Sequence, residues 1–422
     1  MAEDPIIGEY TKGFEIDPEE ASNVRPLRSV ALELRRAEDV DPKMIPPRRW
    51  LYGRSLVRSF VSVLVAPGGT GKSLWAMAVG VSLATGISLL GEHVYSRTNV
   101  WLINLDDPMD ELNRRFAALR IRYNLATGDW YGRFFMNSGE ERPLVMAKMA
   151  LTEEGFSVVH PDEEALEKHI AENQIGLLIV DPFAESHTLE ENSNPQMVAA
   201  TAAWRRVARK TGCAILLVHH VRKGSSGDIE SARGAKALTD SARVGLVMST
   251  MSAEEAESLD IGEENRLSYV RMDDAKANLA PRAGVARWFK LSHLELGNST
   301  ADYPAGDQVA VMMSWQPPTP WEGLDSVLLG KIFDRLDEGP EAGERWSIMK
   351  QAKDRWAGLA IIEVTQRTPE QASAMLAHWK KNEVISEGTY CSPKRKNRDT
   401  GCLIVNQARA AQIRRGSPAE GS

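Results

Sequence analysis

Val61-Ser-Val-Leu-Val-Ala-Pro-Gly-Gly-Thr-Gly-Lys-Ser-Leu-Trp-Ala-Met-Ala-Val-Gly-Val-Ser-Leu-Ala84 decides the fold of this chain. It opens on a run of apolar, β-branched character that reads as a strand, tightens into a glycine-rich turn, and continues as a helix-forming stretch. Each part of the turn has a physical task. Gly68, Gly69 and Gly71, with Thr70 among them, let backbone N–H groups turn inward onto phosphate oxygens. The helix N-terminus adds partial positive charge. Lys72 can reach the β- and γ-phosphates of a nucleotide, and the Ser73 hydroxyl can bind Mg²⁺. Such turns normally open on Gly. Ala66 stands there instead, which is acceptable if its backbone needs no positive φ. The expected ligands are therefore ATP and Mg²⁺.

Working outward, further apolar runs lie at Asn99–Asn104, Ile175–Val180 and Cys213–Val218, with helical patterns near 73–85, 108–124, 162–173 and 195–211. Continuous apolar runs alternating with helices indicate a parallel sheet covered on both faces, a doubly wound α/β domain. Arg243–Met248, Leu267–Arg271 and Val285–Phe289 read as strands extending it.

The strand tips carry the remaining chemistry. Asp181 follows Ile175–Val180, where a carboxylate can hold the Mg²⁺ water shell. Asp106 and Asp107 end the strand Val100–Leu105. One is expected to polarise the attacking water, with Asp106 favoured, while the other suits an N-cap ahead of Pro108. Alternation points His219 and His220 to opposite faces. His220 is the candidate to contact the γ-phosphate.

The ordered set Ala66–Ser73, Asn104–Pro108, Leu177–Pro182, Leu217–His220, Ser231–Gly234 and Thr239–Arg243 resembles the plasmid RepA-type hexameric helicases and related AAA-type ATPases of phages and integrated elements. The resemblance covers roughly residues 48–290. It implies a RecA-like core, a homo-oligomeric ring of six subunits, and ATP at each subunit interface. By position it makes His220 the γ-phosphate sensor and Arg243 an arginine finger serving a neighbour. Lys276, in a Lys-x-Asn pattern with Asn278, would touch phosphate across the interface. Asp106 falls where the family has Glu, so slow hydrolysis, and a role as an ATP-gated loader or regulator, is the alternative to a processive replicative helicase.

DNA is the expected partner, single-stranded in a ring channel, with replication proteins as further candidates. Arg222 and Lys223 follow the His pair in a Gly/Ser-rich loop suited to tracking backbone phosphates. Beyond the Pro-rich linker 316–322, helical patterns near 323–337, 346–357 and 369–381 precede two strand-like pieces, Val384–Tyr390 and Cys402–Val405. That is the outline of a winged helix over 323–407, with Lys394, Arg395, Lys396 and Arg398 at its wing. Thr368 is the expected N-cap of the last helix, with Ala372, Met375, Leu376 and Trp379 on its buried face. Residues 1–45 read as a polar arm, 46–315 as the ATPase domain and 408–422 as a disordered tail.

Composition is compatible with this organisation. The 422 residues are 43% hydrophobic and 26% charged, enough for two or three packed domains. A net charge of −7 announces no nucleic-acid binder, although local basic patches decide that question. Three cysteines without metal-ligand spacing are expected to be reduced thiols. No signal-peptide pattern opens the chain and no apolar run approaches the roughly twenty residues that cross a bilayer, so the expected location is the cytoplasm.

Overall fold

The computed structural model describes residues 40–414, together with Leu34 and Ala37, except 153–154, 192, 222–235, 260, 281–285, 318–320, 322 and 396–397. A small antiparallel pair, β1 (Trp50–Tyr52) and β2 (Leu56–Val57), leads into β3 (Val61–Pro67) and α1 (Lys72–Thr85). Then follow β4 (Asn99–Asn104), α2 (Met109–Arg122), α3 (Thr127–Trp130), β5 (Phe134–Ser138) and the hairpin β6 (Lys148–Thr152) and β7 (Gly155–Val159). Next come α4 (Glu163–Glu172), β8 (Ile175–Asp181), α5 (Asn194–Thr211), β9 (Ala214–Val221), α6 (Lys236–Ser241) and β10 (Val244–Thr250). The domain closes with α7 (Ala253–Ser258), α8 (Glu263–Arg266), β11 (Tyr269–Ala277), β12 (Arg287–Glu295) and β13 (Gln308–Trp315).

Nine strands form one sheet in the order β13-β12-β11-β10-β3-β9-β8-β4-β5. The six from β10 to β5 are parallel, and β11, β12 and β13 extend the sheet antiparallel. This is a doubly wound α/β arrangement, in which β9 separates the glycine-turn strand β3 from the Asp-tipped strand β8. β8 is buried along its whole length because helices cover both faces. On one face Leu64 and Leu102 pack with Trp75 of α1 and Phe116 of α2. On the other, Val61, Val63 and Val65 pack with Leu166 of α4 and Trp204 of α5.

The antiparallel wing curls over α1 and α2. Tyr123 Oη donates to the Met312 carbonyl at 3.0 Å, and Arg114 pairs with Asp307 at 2.9 Å. β13 carries no clear sequence signal of its own, yet Val311 and Met312 are fully buried there.

The second unit contains α9 (Ser326–Glu338), α10 (Gly358–Thr365), α11 (Pro369–Lys381), the hairpin β14 (Ile385–Ser392) and β15 (Arg398–Val405), and α12 (Gln407–Arg414). Thr368 caps α11 by accepting from Gln371 N, and the four expected side chains form its buried face. Two expectations fail. The helix near 346–357 does not form, because Trp346 and Ser347 spend their backbone on β15 and on residues 355–357: Leu403 N donates to Trp346 O at 2.7 Å and Ala357 N to Ser347 O at 2.8 Å. A short 3-10 turn, Lys350–Arg355, follows, and the helix starts at Gly358. The tail is not wholly disordered either. Residues 407–414 form α12, anchored by the buried Ala410 and by Gln407 donating to Asp337 at 2.7 Å.

Among the described residues no helix is long and apolar enough to cross a membrane. The three cysteines are free thiols, Cys213 and Cys402 buried and Cys391 exposed.

Candidate functional site

Parallel register brings four strand tips together. Ala66 lies beside His220, and Asn104 beside Asp181, so β3, β9, β8 and β4 all end at one edge of the sheet. Ligands of open α/β sheets bind in the crevice outside such carboxyl ends.

The glycine turn takes the conformation its residues allow. Gly69 and Gly71 have φ of 80° and 84°, whereas Ala66 lies within β3 with an ordinary backbone, so no glycine is required there. Gly71 is constrained twice over: an added Cβ would stand 2.8 Å from Met312 Cε and 3.0 Å from Leu291 Cδ2, both in the wing. At Gly68 and Gly69 an added Cβ would meet nothing, so that side of the turn is open to a ligand. Thr70 Oγ1 and Lys72 Nζ both donate to the Pro67 carbonyl, at 2.9 and 2.8 Å.

Lys72 is only 3% exposed. Burial pushes its ammonium down to about 8, while Asp181 and Asp106 pull it back up. Asp181 is 2% exposed, and burial raises its carboxyl to about 6 against the lowering effects of Ser73 and Lys72. Its Oδ2 is buried without a hydrogen-bond partner among the described residues. A buried oxygen of this kind needs a cation or ordered water. Ser73 and Asp181 thus form a hard oxygen donor set that fits Mg²⁺, which normally takes one or two protein oxygens plus substrate phosphates.

The two adjacent aspartates separate cleanly. Asp107 receives a two-pronged contact from Arg115, Nη1 at 2.7 Å and Nη2 at 3.1 Å, plus one from Asn104 Nδ2. Asn104 Oδ1 in turn accepts from the N–H groups of Asp106 and Asp107 and shapes the turn. The Asp106 carboxylate is exposed, and its charge is felt at Lys72, Asp181 and His220. Neither aspartate caps α2, whose N-cap is Pro108 with no side-chain bond.

The histidines divide as alternation requires. His219 is buried against Phe183, with ring centroids 6.0 Å apart, and burial drives its imidazole down to about 4. His220 is exposed at the tip, and partial desolvation of its ring and the Lys72 charge lower its pKa. No motif pointed to His187, whose ring centroid lies 4.7 Å from that of Phe183, or to Arg115. Only the helical spacing of Glu111 and Arg115, which pair at 2.9 Å, hinted at the second of these.

Arg243 and Lys276 are not brought to this crevice. Arg243 immediately precedes β10, and its N–H donates to the Val61 carbonyl at the opposite edge of the sheet. Lys276 lies beside Gly245, and its ammonium donates to the carbonyls of Thr239 and Asp240. The seven residues of β3 separate that edge from the glycine turn by roughly 20 Å. Lys276 therefore cannot touch phosphate bound by its own copy. Of the basic residues assigned to nucleic acid, Arg222, Lys223 and Lys396 lie outside the described residues. Lys394 is ion-paired to Glu341, while Arg395 and Arg398 are exposed.

The model of an AAA domain matches residues 27–226 of the chain. The crystal structure of the RadB recombinase superposes with a TM-score of 0.35 and 10% identity, over 56% of this chain and 89% of that one.

Proposed function

We propose that this chain is an ATP-hydrolysing motor that acts on DNA, working as a ring of identical copies in the manner of a replicative helicase. The observation that carries the reading is the convergence of Lys72, Ser73, Asp181, Asp106 and His220 on one strand edge, with Arg243 at the opposite edge.

The backbone of residues 68–72 and the Lys72 ammonium hold the phosphate tail. Bound at Ser73 and Asp181, Mg²⁺ would neutralise charge on the β- and γ-oxygens. The exposed carboxylate of Asp106 orients a water and accepts its proton as the water oxygen bonds to the γ-phosphorus and the bond to the β-phosphate oxygen breaks. His220, beside Ala66 at the tip of β9, contacts the γ-phosphate. Arg243 of an adjacent copy supplies the second cation to the transferring group. DNA contact falls to the segment after β9 and to Arg395 and Arg398 of the second unit.

The test is ATP turnover with and without single-stranded DNA, alongside sedimentation with a non-hydrolysable analogue. Stimulated turnover by an assembled species supports the reading, and an unstimulated monomer sinks it. A slow, ATP-gated loader is separated from a motor by Asp106→Glu: a large rise in turnover would mean the shorter side chain keeps hydrolysis slow.

A further inference from the structure

Helix α5 carries two pairs of cations at the same spacing, and they meet different fates. Arg206 and Lys210 face α4, where Glu163 and Glu167 neutralise them, the first at 2.6 Å. Arg205 and Arg209, one residue earlier, line a cavity of about 120 Å³ at the base of the sheet. Arg243 lines the same cavity with Ser59 and Asp240. No ion pair is found for Arg205, Arg209 or Arg243 among the described residues. Three guanidinium groups thus share one small concavity with a single carboxylate.

Like charges gathered at one concavity repel one another, and an anion bound among them relieves that repulsion. Guanidinium forks match phosphate oxygens in geometry as well as charge. A cavity of that volume has room for one phosphate group. A nucleic-acid strand needs a continuous groove instead. The copy's own nucleotide is excluded, since β3 spans the roughly 20 Å between the cavity and the glycine turn. A head-to-tail contact between copies, the kind that closes rings, pairs two different surfaces, and here those would be the acidic edge of one sheet and the base of the next.

We propose that Arg205 and Arg209, together with Arg243, form a receptor for the terminal phosphate of the nucleotide bound by a second copy of this chain. The proposal rests on the ring-ATPase reading above and adds two residues of α5 to the shared site. They clamp the phosphate from the α5 side while Arg243 approaches from the start of β10.

The experiment uses the full chain. The double variant Arg205→Ala/Arg209→Ala is expected to lose roughly a hundredfold in ATP turnover. Its affinity for a fluorescent ATP analogue and its sedimentation should match the wild type. Arg205→Lys/Arg209→Lys, which keeps charge but not the fork, should recover only part of the loss. Mixing the double alanine variant with Lys72→Ala should restore turnover, because one supplies the nucleotide and the other the intact cavity. Full turnover in the double alanine variant, or no restoration on mixing, overturns the proposal. So does a double variant that sediments as a monomer, or one that loses single-stranded DNA binding while keeping turnover; the last outcome would assign the arginines to nucleic acid. Arg243→Ala run in parallel separates the layers. If it alone loses turnover, the ring reading stands and the α5 receptor falls. If it too keeps turnover, the ring reading itself fails.

Discussion

The two ends of the parallel strands are chemical opposites. At the carboxyl end, Asp106 and Asp181 surround one buried ammonium, Lys72. At the base, Arg205, Arg209 and Arg243 line a cavity beside one carboxylate, Asp240. Neither end is a complete phosphoryl-transfer site: the first can position a nucleotide but holds one cation, and the second holds cations with nothing to transfer. On the reading proposed above, the difference places the unit of function at the contact between copies.

The sharpest way to break that comparison is Arg243→Ala. Turnover should fall by about a thousandfold or more while ATP affinity holds, as steady-state kinetics and equilibrium binding will show. A loss of affinity with unchanged turnover would return Arg243 to the fold. Next in size, Asp106→Asn should lower turnover by roughly a hundredfold. Asp107→Asn should act mainly on stability, through the lost Arg115 contact, and a thermal melt beside the kinetics reveals a reversed ranking. Lys72→Ala should weaken MgATP binding by about tenfold to a hundredfold, the worth of a charge-assisted contact, in a fluorescence titration.

The smallest effect concerns pH. Asp181, raised to about 6, must be a carboxylate to hold the metal, so MgATP affinity falls as pH drops through that value. Lys72, lowered to about 8, must be an ammonium, so affinity also falls as pH rises through that one. The plateau between should lose its acid limb in Asp181→Asn. A flat profile in the wild type would mean that neither group titrates where its burial places it.

Much of this was legible in the sequence, for local reasons. The strands β3, β8 and β9 are continuous apolar runs, and the glycine turn is a contiguous motif, so their signals need no tertiary context. The wing strand β13 was hidden because its burial comes from packing on α1 and α2, distant in sequence. Asp106 was favoured over Asp107 by motif position alone; the physical distinction, Arg115 a helical turn and more away holding Asp107, comes from the fold. Arg205 and Arg206 are neighbours in the chain and indistinguishable by type. Only the position of Glu163 separates the neutralised one from the one facing the cavity. Arg243 and Lys276 were named from motif order; the place of Arg243 just before a strand was legible, whereas the pairing of Lys276 with Gly245 comes from the fold.

Leu291 and Met312 pack over the inner side of the glycine turn at Gly71, in the space a side chain there would need. The amide groups of the turn are set in place when the wing folds. Nucleotide capture therefore forfeits little further chain entropy, and more of the contact energy is realised as affinity. By the same token, a substitution in the wing that loosens Met312 would weaken ATP binding without touching a single phosphate contact.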